Sequence, residues 1–361
     1  MLNLARAAAE ERAAYINETA ARRNVPVWMV EKDFWVCWLL GRLFALDAFK
    51  GHLVFKGGTS LSKVFGVIHR FSEDIDLSIS PSLLGIDEGW LEEPEKKSQR
   101  DKRMEKLETL CIQAVHERYA PLLEASIRAE LGAPGKLWKL TSSVDAVTHS
   151  PVVLFEYPHT ATYRDYVPPT VKIEFGSLTD QQPTGEHPVR PMIAEQFPAA
   201  LTVKEVIVVA MEAERTFWEK ATILHDASLR PADKEFKPRS CRHYYDTVLL
   251  GEHPAGARAM TRLDLLERVT RFKDLFFKSS WSDYASARPG SFRLVPPGAR
   301  RAEVETDYGK MEDFFMVRPP TFEDLWERLR AVEARINAVG HPRRQGSGNS
   351  SEDMPRFNAD C

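Results

Sequence analysis

Apolar and polar residues alternate from Ile75 to Ser80, with Ile75, Leu77 and Ile79 on one side and Asp76, Ser78 and Ser80 on the other. A period of two predicts a half-buried strand, and it places Asp74 and Asp76 together on the polar face. Upstream, Leu53-Val54-Phe55 is a second short apolar run, broken by Gly57-Gly58. From Ser60 onward Leu61, Val64, Phe65 and Ile68 recur at helical spacing. The pattern predicts strand, glycine turn and a helix over 60–69. Residues 2–23, rich in Ala, Glu and Arg, predict an exposed helix. Asn24-Val25-Pro26 interrupts it, and residues 28–49 predict a second, far more apolar helix.

The chain is then almost wholly polar over 92–103 before Leu107, Leu110, Cys111, Ala114 and Val115 mark one side of a long, solvated helix. Further strands are predicted over 136–142, 152–157 and 170–175, and a mostly apolar run over 203–209 follows a proline-rich stretch. Beyond Met211 the periodicity is helical, over 216–227, 242–250, 263–277 and 322–336. Residues 341–361 are rich in Gly, Ser and Asn and lack an apolar pattern, which predicts a disordered tail. The expected fold class is α/β (α+β). Helices over 1–50 pack on a small mixed-sheet core over 51–210, and a mostly helical region over 211–340 completes the site.

Composition narrows the function. With 361 residues, 43% apolar and 28% charged, the chain has material for more than one core and is not a disordered protein. A net charge of −3 gives no global attraction for phosphate, so any nucleic-acid contact must come from local basic segments. Cys37, Cys111, Cys241 and Cys361 are scattered without a CxxC or Cys/His cluster. That argues against zinc and against a disulfide scaffold, and it fits a reducing cytoplasm. The N-terminus lacks a secretory pattern, and no apolar stretch approaches the roughly 20 residues needed to span a bilayer.

Nucleotidyl transfer needs carboxylates on a rigid edge to hold divalent metal, and a tight turn that admits a triphosphate. Gly57 and Gly58 let backbone N–H groups approach phosphate, Thr59 and Ser60 add hydroxyl donors, and the following helix directs its positive end at the same point. Repulsion between Asp74 and Asp76 is relieved by bound Mg²⁺ or Mn²⁺. Either feature alone is common, a Gly-Gly turn at strand ends and Asp-x-Asp in solvated loops. Their order, with a short helix between them, supports the catalytic reading.

This stretch resembles the signature of the nucleotidyltransferase superfamily of DNA polymerase beta. More closely, Val30-Glu-Lys-Asp-Phe-Trp-Val36, Phe55-Lys-Gly-Gly-Thr-Ser-Leu-Ser-Lys63 and Arg70-Phe-Ser-Glu-Asp-Ile-Asp-Leu77 are similar to the AbiEii/AbiGii toxins of bacterial toxin–antitoxin and phage-defence systems. The similarity continues at Phe217-Trp-Glu-Lys220, at Arg242-His-Tyr-Tyr-Asp246 and at Asp307-Tyr308 with Met311, and so covers roughly residues 25–340. The resemblance implies that Gly58 and Ser60 hold a triphosphate, that Asp74 and Asp76 hold metal, and that Lys220 and Asp246 are further active-site positions. It also implies transfer of a nucleoside monophosphate from an NTP to RNA, the 3′ end of tRNA, with a block of translation and a separately encoded antitoxin. Nucleotidylation of a protein, or an NTP-binding regulatory module without turnover, are the alternatives.

Read from the residues themselves, Lys220 lies among Phe217, Trp218, Ile223 and Leu224. Its ammonium either faces a pocket holding an anion or snorkels to water. Asp246 follows Arg242 by four, which suits a helix salt bridge or a residue that positions Lys220. Glu174, between Ile173 and Phe175, suits a third carboxylate that completes a metal shell or deprotonates the acceptor, and equally a strand glutamate paired with Lys172. Lys56, Lys63 and Arg70 lie close enough in sequence to neutralise phosphate. Two basic groups suit RNA: Arg230, Lys237 and Arg239, with Lys234 and Arg242, and then Arg288, Arg293, Arg300 and Arg301 in an acid-free Pro/Gly stretch. Arginine-rich loops that are merely solvated look the same.

Overall fold

The computed structural model describes residues 1–87, 97–161 and 168–340, so the tail expected over 341–361 lies outside the described residues. The first half of the chain runs α1 (Leu2–Arg6), α2 (Ala9–Arg23), α3 (Val27–Phe44), β1 (Leu53–Lys56), α4 (Gly57–Lys63), β2 (Ile75–Ile79), α5 (Lys97–Ala114) and α6 (Ala120–Leu131). It continues through β3 (Lys139–Val144), β4 (Pro151–Glu156), β5 (Thr170–Gly176), β6 (Thr184–Val189), α7 (Met192–Gln196) and β7 (Val206–Met211). Six helices follow: α8 (Ala213–Leu229), α9 (Cys241–Glu252), α10 (Pro254–Thr261), α11 (Leu263–Phe276), α12 (Gly298–Gly309) and α13 (Phe322–Asn337).

The seven strands form one mixed sheet in the order β3-β4-β5-β2-β1-β7-β6, which makes β2 its central strand. β2 pairs antiparallel with β1 and parallel with β5, so Asp76 lies beside Lys56 on one side and Glu174 on the other. The alternation read from the sequence sets the two faces. Phe55, Ile75, Leu77, Ile79, Val171, Ile173 and Phe175 are at most 1% exposed and join a first core with α3 and α6. In that core Trp35 stacks on Tyr157 and Trp38 on Phe155. Each such ring buried contributes roughly 1.5–3 kcal/mol. Lys56, Asp76, Ser78, Lys172 and Glu174 occupy the other face.

A second core is built from α8–α13, among them Phe217, Trp218, Tyr245, Trp326 and Leu329, and it also takes in Leu61 of α4 with Val67 and Ile68. The short α4 thus packs its Leu61 into the second core, while Val64, just past its end, packs against the first. The fold class is the expected mixed α/β with a helical second half.

Some boundaries differ from the sequence reading. The single helix expected over 2–23 breaks at Ala7-Ala8, where the backbone turns extended and Arg12 donates to the Ala7 carbonyl at 3.2 Å. The helix expected over 60–69 begins at Gly57 and ends at Lys63, after which Val67 and Ile68 enter the second core outside helical structure. β6 contains Pro188 and pairs only with β7 at the sheet edge, the one strand position where a missing N–H costs little.

Candidate active site

β1 ends at Lys56, and Gly57 turns the chain straight into α4 with φ +80°, a region closed to most side chains. A Cβ on Gly57 would lie 1.9 Å from Asp76 Oδ2, so the glycine is required by the carboxylate that faces it. A Cβ on Gly58 would meet Arg70 Nη2 and Ser72 Oγ, each at 2.8 Å. Thr59 and Ser60, expected as hydroxyl donors to phosphate, are buried and satisfied within the turn. Thr59 Oγ1 donates to the Asp74 carbonyl at 2.5 Å and Ser60 Oγ to the Gly57 carbonyl at 3.1 Å. Their work is to lock the glycine turn to the strand that carries the aspartates. The backbone N–H groups of the first helical turn, which have no partner within the helix, are what remains for a ligand.

Asp74 and Asp76 flank Ile75 on one side of β2. Burial, then the neighbouring carboxylates Glu73 and Asp76, push the Asp74 carboxyl up to about 6 against Arg239 and Lys172. Burial also raises Asp76, with Glu174 adding to it and Lys56, Arg242 and Lys220 opposing it. Both carboxylates are thus held where their charge is disfavoured, while cations from the sheet and from α8 and α9 converge on them.

From the second core, Lys220 on α8 reaches Asp246 on α9 with Nζ 2.8 Å from Oδ2. Arg70 grips the same carboxylate from the other side, Nε to Oδ1 and Nη2 to Oδ2, both 2.8 Å. Burial works against the charge on Asp246, which is 0% exposed, but Arg70 and Lys220 outweigh it and hold the carboxyl well below the ordinary range. Lys220 does not snorkel to solvent. The group is two cations to one anion, a net positive charge of which Lys220 lies in electrostatic range of Asp76.

Lys63, expected near phosphate, is instead ion-paired with buried Asp33 of α3, whose other oxygen accepts from Met192 N at 2.6 Å. It stands at the far end of α4 from the glycines and ties that helix to the first core. Glu174 is ion-paired with Lys172, which also binds Asp145 at 2.9 Å. Among the basic residues expected to meet RNA, Lys237, Arg239, Arg288 and Arg293 are exposed, and Arg230 is half-buried over the Trp281 ring. Arg300 is not available. It is 5% exposed, donates to the Pro231 and Lys234 carbonyls and pairs with Glu303 at 2.8 Å, because it lies on α12 and not in the loop the prolines suggest. Arg301 pairs with Glu323 and lies over Phe322 and Trp326.

A family model for the nucleotidyl transferase AbiEii toxin of type IV toxin–antitoxin systems matches residues 38–330. The chain belongs to the AbiEii family. Among solved structures it is similar to MenT4, a nucleotidyltransferase toxin of Mycobacterium tuberculosis, at 15% identity over 91% of this chain and 98% of that one, with a TM-score of 0.43. No curated protein sequence matches significantly. AbiEii membership makes the chain a nucleotidyltransferase toxin, which implies an NTP substrate, as a rule a divalent cation, and an antitoxin partner. No helix among the described residues is long and apolar enough to cross a membrane.

Among the described residues no three His, Cys, Asp or Glu side chains gather to enclose a metal ion by themselves. The donor set still fits Mg²⁺, which takes one or two carboxylates and completes its octahedron with water and substrate phosphate. Two carboxylates whose charges are destabilised by burial and by neighbouring carboxylates match that requirement.

Three residues that the sequence shows only within longer motifs, or as a neighbour of phosphate, brace the elements around the aspartates and Asp246. Lys32 on α3 is 2% exposed, ion-paired with Glu73 and hydrogen-bonded to the Pro168 carbonyl at 3.3 Å, and so fixes the residue before Asp74. Asp307 accepts from Arg239 N and Cys241 N, both at 2.9 Å, and caps α9. Arg70 is held by a bridge to Phe315, with Phe71 N donating to the Phe314 carbonyl at 2.7 Å. Their signal in the sequence is their place in the motifs that begin at Val30, Arg70 and Asp307.

Two outcomes follow from this geometry. Gly57→Ala is expected to lose activity by at least about a hundredfold and stability by ~1–3 kcal/mol, through the positive φ and the displaced Asp76 carboxylate. Turnover and melting temperature of the variant check it, and a fully active Gly57→Ala would mean that Asp76 is free to move aside. In metal-free buffer the raised carboxyl of Asp74 gives stability that is complete below its unfolded pKa of about 3.8 and is lost as pH rises through about 6. Asp74→Asn should therefore match the parent near pH 4 and exceed it by up to ~3 kcal/mol at pH 7, a difference that Mg²⁺ should shrink. Urea titrations at the two pH values measure it, and equal stability at pH 7 would contradict it.

Proposed function

We infer that the protein transfers a nucleoside monophosphate from an NTP to an RNA hydroxyl, the 3′ end of tRNA, with Asp74 and Asp76 as ligands of Mg²⁺ or Mn²⁺. The observation that carries this reading is the convergence of the Gly57-Gly58 turn, the two aspartates and the Lys220–Asp246–Arg70 group at the junction of the two cores. The triphosphate lies along the backbone of the turn, and Lys220, with Arg239 and Arg242 in electrostatic range of the aspartates, offsets its charge. The acceptor oxygen attacks the α-phosphorus, a new O–P bond forms, and the bond to the bridging oxygen breaks, so that pyrophosphate leaves with the electron pair. Glu174, beside Asp76 in register, accepts the hydroxyl proton while Lys172 orients it. When bound, the divalent cation supplies charge stabilisation at the reacting phosphate.

Residues 51–210 act as the nucleotidyltransferase core and 211–340 as the helical region that closes over it. Exposed Lys237, Arg239, Arg288 and Arg293 suit the RNA backbone, with Arg230 at their margin; Arg300 and Arg301 are committed to the fold. Capping the tRNA 3′ end stops translation in the cytoplasm, and a separately encoded antitoxin restrains it. Incubation with total RNA, Mg²⁺ and each α-labelled NTP, resolved on a denaturing gel, tests the reading. The expected result is a labelled band of tRNA size, and label found only on protein, or nowhere, contradicts it.

A further inference from the structure

α8 and α9 pack side by side, so residues whose numbers rise along one face residues whose numbers fall along the other. Lys220 meets Asp246, and one helical turn on, Ile223 and Leu224 face His243. At that next turn the helices part around a pocket of ≈ 280 Å³. Its walls include Ile223, Phe236 and Tyr244, and its polar lining includes Arg230, Lys237 and His243. Tyr244 is 3% exposed and fixed by stacking on Trp326 at 6.3 Å, so that wall is rigid. Two polar side chains able to bond a heterocycle, Arg230 and His243, line it. Burial and the nearby Lys220 and Arg242 cations hold the His243 imidazole well below its ordinary pKa, so it is neutral and able to bond either a donor or an acceptor.

We propose that this pocket between α8 and α9 is a nucleobase subsite, one helical turn from the Lys220–Asp246 pair. At ≈ 280 Å³ it falls just under the ~300–1,000 Å³ of drug-sized ligand pockets, room for one base and not for a whole NTP. Aromatic Phe236 supplies a stacking surface, and Lys237 and Arg230 stand where the attached phosphate would leave the pocket. The base belongs either to the incoming NTP or to the terminal nucleotide of the acceptor. The inference rests on the nucleotidyltransferase reading of the adjoining site.

The test uses Phe236→Ala, Arg230→Gln and the parent protein, each with its melting temperature. Titration with the four NTPs and with inorganic tripolyphosphate, which has no base, forms one arm. The KM for acceptor RNA forms the other. A base from the NTP predicts at least a tenfold loss of NTP affinity in both variants, with tripolyphosphate unchanged in Phe236→Ala. A base from the acceptor predicts unchanged NTP affinity and at least a tenfold rise in the KM for RNA. Folded variants with both quantities unchanged overturn the proposal. If the parent transfers no label to RNA yet binds NTP more weakly after Phe236→Ala, the acceptor assignment fails and the subsite stands. Arg230→Gln guards against a Phe236 variant that loses its fold.

Discussion

Asp76→Asn is expected to abolish nucleotidyl transfer, by at least about a thousandfold, and to leave the protein as stable as the parent or more so. The side chain keeps its shape and loses its charge. That charge sits between Lys56 and Glu174 on the central strand, where burial and Glu174 raise its carboxyl above the usual range. A residue retained for structure would not be placed where its ionised form is disfavoured. Neutralising it relieves that cost, while on the proposed mechanism it removes a ligand for a cation whose charge stabilisation is worth several kcal/mol in the transition state. Thermal melts in EDTA and in Mg²⁺ separate the two effects. The parent should gain stability with Mg²⁺ and the variant should not. Near-parental turnover of Asp76→Asn at saturating Mg²⁺ would remove the metal assignment.

The parts legible in the sequence are those set by short-range pattern. The alternation of Ile75, Leu77 and Ile79 with Asp76 and Ser78 predicts both the strand and the face that carries the carboxylates, and the sheet bears this out. Gly57 is legible as a turn, but the reason for it is the Asp76 carboxylate 19 residues away, which no local pattern contains. The helix start is misjudged for a related cause. Glycine lowers helix propensity, so the pattern places the start after both glycines, whereas the packing of Leu61 against the second core begins the helix at Gly57. Charge runs mislead most. Arg300 reads as a loop arginine beside Pro296 and Pro297, but Pro297 is the N-cap of α12 and the guanidinium turns inward to two carbonyls. Lys63 reads as a phosphate neighbour from its distance in sequence to Gly58, but a seven-residue helix carries it to the other end, against Asp33. Arg70 is the reverse case, a residue that sequence leaves ambiguous and that tertiary structure makes the partner of Asp246, 176 positions on.

Lys220→Met is expected to lower kcat/KM by at least about a hundredfold and to cost ~1–3 kcal/mol of stability. Met preserves most of the apolar stem among Phe217 and Trp218, so packing is largely kept, and Asp246 retains its two bonds to Arg70. What disappears is one buried ion pair at 2.8 Å and, on the proposed mechanism, the ammonium that faces the triphosphate. Asp246→Asn provides the contrast. It leaves Arg70 and Lys220 both buried beside a neutral amide, and breaking a buried pair in this way costs ~3–5 kcal/mol, so its melting temperature should fall further than that of Lys220→Met. If Lys220 served only to balance Asp246, the two variants would lose activity in proportion to their loss of stability, and the Lys220→Met protein, the more stable of the two, would be the more active. If Lys220 meets phosphate, it is the less active at any temperature where both are folded. Measuring kcat/KM at 15 °C beside the two melts decides between these. A Lys220→Met protein with parental kcat/KM would take the second core out of the chemistry and leave the glycine turn and β2 to carry it alone.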